Sequence, residues 1–435
     1  MAYTYEDYKK MYAEKKRTLQ ECLDMIQSGD HICFGKDCNE PLLFCQQLHT
    51  VAHRVEDVTV LKGRSSDFGF LQNADVAGHI MTQSAFFSKG WQRPLELGTC
   101  TFVPNDLHDQ PIWYNGANPR NTYIAAVTPM DENGNFQIPY CQMFEREALA
   151  CAKTVILEIN PRFRRGRGGV EIPIERVTCC YTADSPILTI PRSKPSPTDE
   201  TIGAYIADMI HDGDTFQLGI GGLPDAVGKH LFARNDLGIH SELFSSTMAD
   251  LIEQGNVTGR YKTVDPGESI ACFALGDDHL YKTLSETPSC RIMPASYTND
   301  PFIIAQQDHM ISVNTALEMD LTGQICSESI GPVQWSGTGG ASDFAFGALH
   351  SKGGRGIIAF SSTAKGGTIS RIKVMLTPGA AVSISRNLAD TIVTEYGVAE
   401  LRGRSIRERA DALIAIAHPD FRAELREGSR KLGYL

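Results

Sequence analysis

A short grammar occurs twice in this chain and constrains its fold more than any single residue does. A Gly-Asp turn leads into an apolar run and a glycine exit at 28–35 (SGDHICFG) and again at 212–219 (DGDTFQLG). The two turn glycines, Gly29 and Gly213, are 184 residues apart. A second pair follows in the same order. TYIAAVTPMDENGNFQI at 122–138 resembles HMISVNTALEMDLTGQI at 309–325, with Gly134 and Gly323 separated by 189 residues. Two ordered echoes at similar offsets predict two copies of one α/β unit. A chain of 435 residues is also too long for one comfortable core. The proline-rich stretch SPILTIPRSKPSPTDE (185–200) reads as the linker. The expected domains are therefore 1–190 and 191–435.

Within each copy, strand-like runs alternate with helical spacers, as in VEDVTVLKG (55–63) and ACAKTVILEINPR (150–162). SRIKVMLTPGAAVSISR (370–386) and TIVTEYGVAELRG (391–403) read the same way in the second copy. Residues 4–27 read as helical, charged at first and then marked by Leu19, Cys22, Leu23 and Ile26 at helical spacing. This alternation predicts two open α/β domains with mainly parallel sheets covered by helices.

Charge and cysteine usage narrow the partners. A net charge of −11 gives no support to nucleic-acid binding. The basic loop PRFRRGRGG (161–169) is too isolated to change that reading. The 12 cysteines form no CxxC pair and no zinc-ligand spacing, so no metal is expected. Several, such as Cys33 and Cys272, lie in apolar stretches and read as reduced core residues. A polar N-terminus and the lack of a long apolar run predict a cytoplasmic protein with no membrane span.

The chemistry concentrates in the second copy. In LGIGGLPDAV (218–227), Gly219, Gly221 and Gly222 mark either a tight turn or the close passage of a bulky ligand toward helix N-terminal amides. No dinucleotide fingerprint forms there. The strand candidate LGIH (237–240) ends in Ser241-Glu242. A carboxylate at a strand end of an open sheet lies where ligands bind. His240, Ser241 and Glu242 are not a catalytic triad, because adjacent strand residues face opposite sides. Glu242 could instead attack a carbonyl directly. Asn314, in SVNTA, is an orienting candidate. Gly337, Gly339 and Gly340 offer backbone amides to an oxyanion or phosphate. Lys352, Arg355, Lys365 and Arg371 read as surface cations or as partners of a polyanion. In the first copy, TFVPNDLHDQPIWY (101–114) is a candidate wall for an acyl group.

Taken together, GDTFQLGIGGLPDAV, DLGIHSELFS, VNTALEMDLTGQICSESIG, SGTGGASDF, STAKGG and IVTEYGVAELRGRSIRERA resemble the acetyl-CoA hydrolase/transferase family. The likeness runs from about residue 8 to residue 425 and is nearest to the butyryl-CoA:acetate and 4-hydroxybutyrate CoA-transferase branch. It implies that Glu242 is a nucleophile, with Asn314 and the GTGG segment at the reacting centre. Gly219, Gly221 and Gly222 are implied on the coenzyme A side, where Lys365, from its charge, and Gly337, Gly339 and Gly340, from their amides, are further binding candidates. The implied reaction is ping-pong CoA transfer between a short-chain acyl-CoA and a carboxylate, with butyryl-CoA and acetate as the expected pair. It proceeds through a glutamyl-CoA thioester, with CoA as substrate and no tightly bound cofactor. The alternatives are an acyl-CoA hydrolase using the same glutamate and a non-catalytic CoA sensor. A homodimer or higher homo-oligomer is implied. The chain departs from the family pattern at SGTGGASDF and at SSTMADL (245–251).

Overall fold

The structure, a computed structural model, describes residues 3–63, 69–110 and 120–435. Its packing divides the chain into two units. The first comprises Met1–Ile190 with Cys272–Ser296, and the second Pro191–Ala271 with Tyr297–Leu435. The linker region after Ile190 thus carries the chain from one unit into the other, and 272–296 returns to the first.

The first unit holds β1 (His31–Phe34), β2 (Val58–Leu61), β3 (Ile80–Ser84), β4 (Cys100–Phe102), β5 (Thr122–Val127), β6 (Asn135–Ile138), β7 (Thr154–Ile159), β8 (Val170–Pro173) and β9 (Cys179–Thr182). Seven of these form one sheet in the order β4-β3-β2-β1-β5-β7-β9, with every pairing parallel. Successive side chains point to opposite faces of a strand. Ile32 and Phe34 of β1 accordingly join one apolar cluster, and Cys33 the other. Coverage of both faces is what a parallel sheet requires.

The second unit repeats the plan with β10 (Thr215–Leu218), β11 (Gly238–Ile239), β12 (Met310–Asn314), β13 (Arg355–Ala359), β14 (Thr391–Thr394) and β15 (Gly397–Glu400). Their order is β11-β10-β12-β13-β14-β15, parallel except for the final antiparallel pair. The echoed segments take corresponding places. β1 lies beside β5 in one sheet as β10 lies beside β12 in the other, and the four echoed glycines all have positive φ.

Two details differ from the sequence reading. The helical stretch expected over 4–27 is interrupted, with helices at Tyr5–Lys15 and Leu19–Leu23. Thr18 and Glu21 form a capping box that starts the second one afresh. The 370–386 run is broken into the end of the strand Ile369–Ser370, the short strand Ile372–Lys373 and an isolated bridge from Ile384 to Ile325, with Pro378-Gly379 in a turn between them. Within the proposed acyl wall, 111–114 lie outside the described residues.

β10 connects to β11 on one side, and β12 then lies on the other side of β10. The order reverses between β10 and β12, so the C-terminal ends of these strands border the crevice where open α/β sheets bind ligands. Gly219 follows β10 and Asn314 ends β12 there.

Candidate active site

β11 is short because its ladder contains only Thr215↔Gly238 and Phe216↔Ile239. Beyond it, other contacts fix the chain. His240 bridges Ile270 in parallel, and the Ser241 N–H donates to the Ile270 carbonyl at 3.1 Å. The Ser241 hydroxyl donates to the Leu218 carbonyl at 3.4 Å. Below, the buried Lys262 ammonium donates to the carbonyls of Ile239 at 2.9 Å and Glu268 at 2.6 Å. Burial pushes that ammonium down to about 8, against the opposing pull of Asp265 and Glu268.

This fixed exit presents Glu242, whose side chain is half-buried. Its Oε2 accepts the Gly340 N–H at 2.5 Å and the Asn299 Nδ2 at 3.4 Å. Gly340 is the N-cap of the helix Ala341–His350, so the carboxylate lies at a helix N-terminus. A side chain at Gly340 would run into Glu242 Oε2 and Asn299 Nδ2, so only glycine admits this approach. Glu328 anchors the loop before the helix: its Oε2 accepts the Thr338 hydroxyl at 2.5 Å, and its carbonyl accepts the N–H groups of Trp335 and Ser336.

The other sequence candidates are placed as follows. The Asn314 amide pairs reciprocally with Gln217, at 3.2 Å from its Nδ2 and 3.4 Å to its Oδ1. An amide that meets Glu242 belongs to Asn299, a residue the sequence reading did not single out. Its only sequence signal is a polar run, YTND, between two short apolar stretches. Gly221 has φ +116° and caps the helix Gly222–Leu231, while a side chain at Gly222 would press on Asp199 Oδ2. Gly221 and Gly222 border a cavity of about 330 Å³ that Thr315, Ser327, Ser361 and Arg371 also line. Gly219 adjoins that loop, and its added Cβ would meet only Pro224, at 3.8 Å. Gly337 and Gly339 lie on the loop leading to Gly340, with Gly339 at φ +55°. Lys365 is exposed at a hairpin turn with φ +48°, and its carbonyl accepts the Thr368 hydroxyl. Among the described residues, no cluster of His, Cys, Asp and Glu could hold a metal ion. No helix there is long and apolar enough to cross a membrane.

His240 is fully buried two residues before Glu242. Its Nε2 lies 2.9 Å from the Thr298 carbonyl. A carbonyl can only accept, so Nε2 carries the proton. Burial, assisted by the Lys262 ammonium, pushes the imidazole down to about 3 and keeps it neutral.

A doubly covered, mainly parallel sheet with a glutamate held at the end of a strand defines an α/β protein that presents a carboxylate beside a ligand crevice. The comparisons make the class specific. Residues 1–190 match the acetyl-CoA hydrolase/transferase N-terminal domain, and 276–429 match the C-terminal domain of the same name. The chain is 40% identical to succinyl-CoA:cyclohexane-1-carboxylate CoA transferase of Geobacter metallireducens, covering 98% of this chain and 97% of that one. It is 33% identical to the 4-hydroxybutyrate coenzyme A transferase of Clostridium kluyveri, over 98% and 99% of the two chains. The crystal structure of RipA from Yersinia pestis superposes with a TM-score of 0.93 at 34% identity, covering 98% of this chain and 100% of that one. The chain belongs to the acetyl-CoA hydrolase/transferase family.

Proposed function

We propose that this protein transfers coenzyme A between an acyl-CoA and a carboxylate, with Glu242 as the covalent carrier. The observation that carries the reading is the Glu242 carboxylate, gripped on one oxygen by the Gly340 N–H and the Asn299 amide at the end of a sheet strand. The carboxylate attacks the thioester carbonyl. The C–S bond breaks, and a mixed anhydride and CoA thiolate form. The thiolate then attacks the glutamyl carbonyl of the anhydride, expelling the first carboxylate and leaving a glutamyl-CoA thioester. A second carboxylate runs the two steps in reverse and leaves as the new acyl-CoA. Donors fixed beside the reacting carboxylate suit the oxyanions formed on the way, because they need no reorganisation when charge develops.

The cavity beside Gly221 and Gly222 supports passage of the pantetheine arm along this crevice. The names of the relatives support a short-chain or cyclic acid at the acyl position: succinyl-CoA with cyclohexane-1-carboxylate at 40% identity, and butyrate with acetyl-CoA at 34%. Butyryl-CoA with acetate remains the pair expected from sequence. Succinyl-CoA is the donor to set against it.

The test is a matrix of acyl-CoA donors against carboxylate acceptors, read by product mass and by free thiol, with wild type and Glu242→Gln. Transfer should need an acceptor and release no stoichiometric thiol. The Gln variant should lose several orders of magnitude, roughly 10³-fold or more, as expected when a covalent route is removed. Borohydride should trap the activated carbonyl on Glu242 only in the wild type. Thiol release indifferent to the acceptor would replace transfer with hydrolysis, and a fully active Gln variant would remove Glu242 from the mechanism.

A further inference from the structure

His240 has no part in the chemistry just described, yet its surroundings couple it to Glu242 by a second route. Thr298 ends the one-turn helix Ala295–Thr298, and Asp300 caps the next helix, Pro301–Gln306. The terminal carbonyls of a helix have no partner within it. The Thr298 carbonyl takes its hydrogen bond from His240 Nε2 at 2.9 Å. The Thr298 hydroxyl donates to Asn299 Oδ1 at 3.2 Å, which turns that amide oxygen away from Glu242 and the amide NH₂ toward it. Thr298, Asn299 and His240 are all fully buried. Phe344, from the helix that Gly340 caps, packs edge-on to the imidazole with centroids 6.2 Å apart.

We propose that His240 is a positioning residue for CoA transfer: by holding the Thr298 carbonyl, its Nε2–H sets the Asn299 amide against the Glu242 carboxylate. This rests on the reading of Glu242 as the carrier. The Asn299 contact is already long, at 3.4 Å, so a small slip of Thr298 breaks it. A neutral ring suits the task, since it offers one fixed donor to a carbonyl and brings no second charge toward the nucleophile. The other ring nitrogen, Nδ1, is buried with no hydrogen-bond partner among the described residues, so the ring is committed to the one bond.

The test is a double-mutant cycle between His240→Phe and Asn299→Ala, read as kcat, KM for acyl-CoA and melting temperature. Phenylalanine keeps the ring and its packing but removes the donor. In the wild-type background kcat should fall by about 30-fold or more, the scale of a misplaced reacting group, while KM stays within about twofold. In the Asn299→Ala background the same substitution should cost less than about threefold, because the two residues act through one contact. His240→Gln, which can place an N–H near the Nε2 position, should recover most of the loss. Equal losses in both backgrounds, or a His240→Phe enzyme as active as wild type, would overturn the proposal. If His240→Phe does not fold, His240→Leu, which also removes the donor to the Thr298 carbonyl, takes its place in the cycle, and wild-type kcat in that variant overturns it equally. Glu242→Gln is run alongside. Exchange that survives in it defeats the carrier reading, whereas a dead Glu242→Gln beside a fully active His240→Phe defeats only the role of His240.

Discussion

A neutral histidine in the interior ties stability to pH in a direction that can be worked out. The His240 ring is held down to about 3 in the folded protein, from an ordinary value of 6.5. Between those values the unfolded chain binds a proton that the folded chain refuses, so stability falls as pH falls through this window. The slope from this one site is up to about 1.4 kcal/mol per pH unit. Lys262 is the charged group that adds to the cost of protonating the ring. Urea unfolding from about pH 7 to about pH 4 should therefore show a shallower loss of stability in His240→Phe than in wild type. Parallel pH curves for the two would mean that the ring already takes up its proton in the native state. The sequence made Glu242 visible by its place after a strand and a glycine loop. It did not reveal the use of His240, because a role routed through a carbonyl 58 residues away leaves no local pattern.

At the scale of elements, the site depends on a loop running into a helix. Gly340 has φ −92° and ψ 11°, a backbone conformation open to alanine, so its requirement for glycine comes from its neighbours and not from strain. Gly340→Ala should push the Glu242 carboxylate and the Asn299 amide apart. We expect acyl-CoA-dependent labelling of Glu242 to slow by about 100-fold, with a stability loss of only about 1–3 kcal/mol. Quench-flow mass analysis and thermal melting check the two halves separately. Labelling at the wild-type rate would show that the carboxylate does not need this close approach. Strands were the most legible elements: TFQL at 215–218 and the strand run at 391–403 follow from their apolar residues, though the antiparallel return of GVAE on TIVT comes from the fold. Asn299 was not legible, because its place depends on two very short helices whose ends are set by tertiary contacts. Asn314 was legible as a strand-end polar residue, but only the fold shows its amide engaged by Gln217.

At the scale of the whole molecule, the repeated grammar revealed two α/β units, and the linker composition drew attention to the region after residue 185. What it could not reveal is the return of Cys272–Ser296 to the first unit. That return is a matter of backbone pairing across long separations. The Gln142 N–H donates to the Cys272 carbonyl at 2.7 Å, Ala274 to Tyr140 at 2.9 Å, and Ile292 to Arg167 at 3.0 Å. A fragment of residues 1–190 alone should consequently lack cooperative unfolding and be cleaved readily by protease. The same fragment joined through a flexible linker to 272–296 should regain a single sharp transition. Identical unfolding curves for the two fragments would show that the returning segment adds nothing to the first unit's stability.

The same return has a consequence in time. A ribosome adds about 5–20 residues per second, so the first unit waits roughly 5–20 s between release of its first 190 residues and arrival of the segment that completes it. During that interval the nascent chain exposes the backbone groups of Tyr140, Gln142 and Arg167 that the segment later covers. Synthesis of this protein therefore passes through a stage in which a nearly finished domain is held open by its own unfinished successor, the stage at which a chaperone has most to protect.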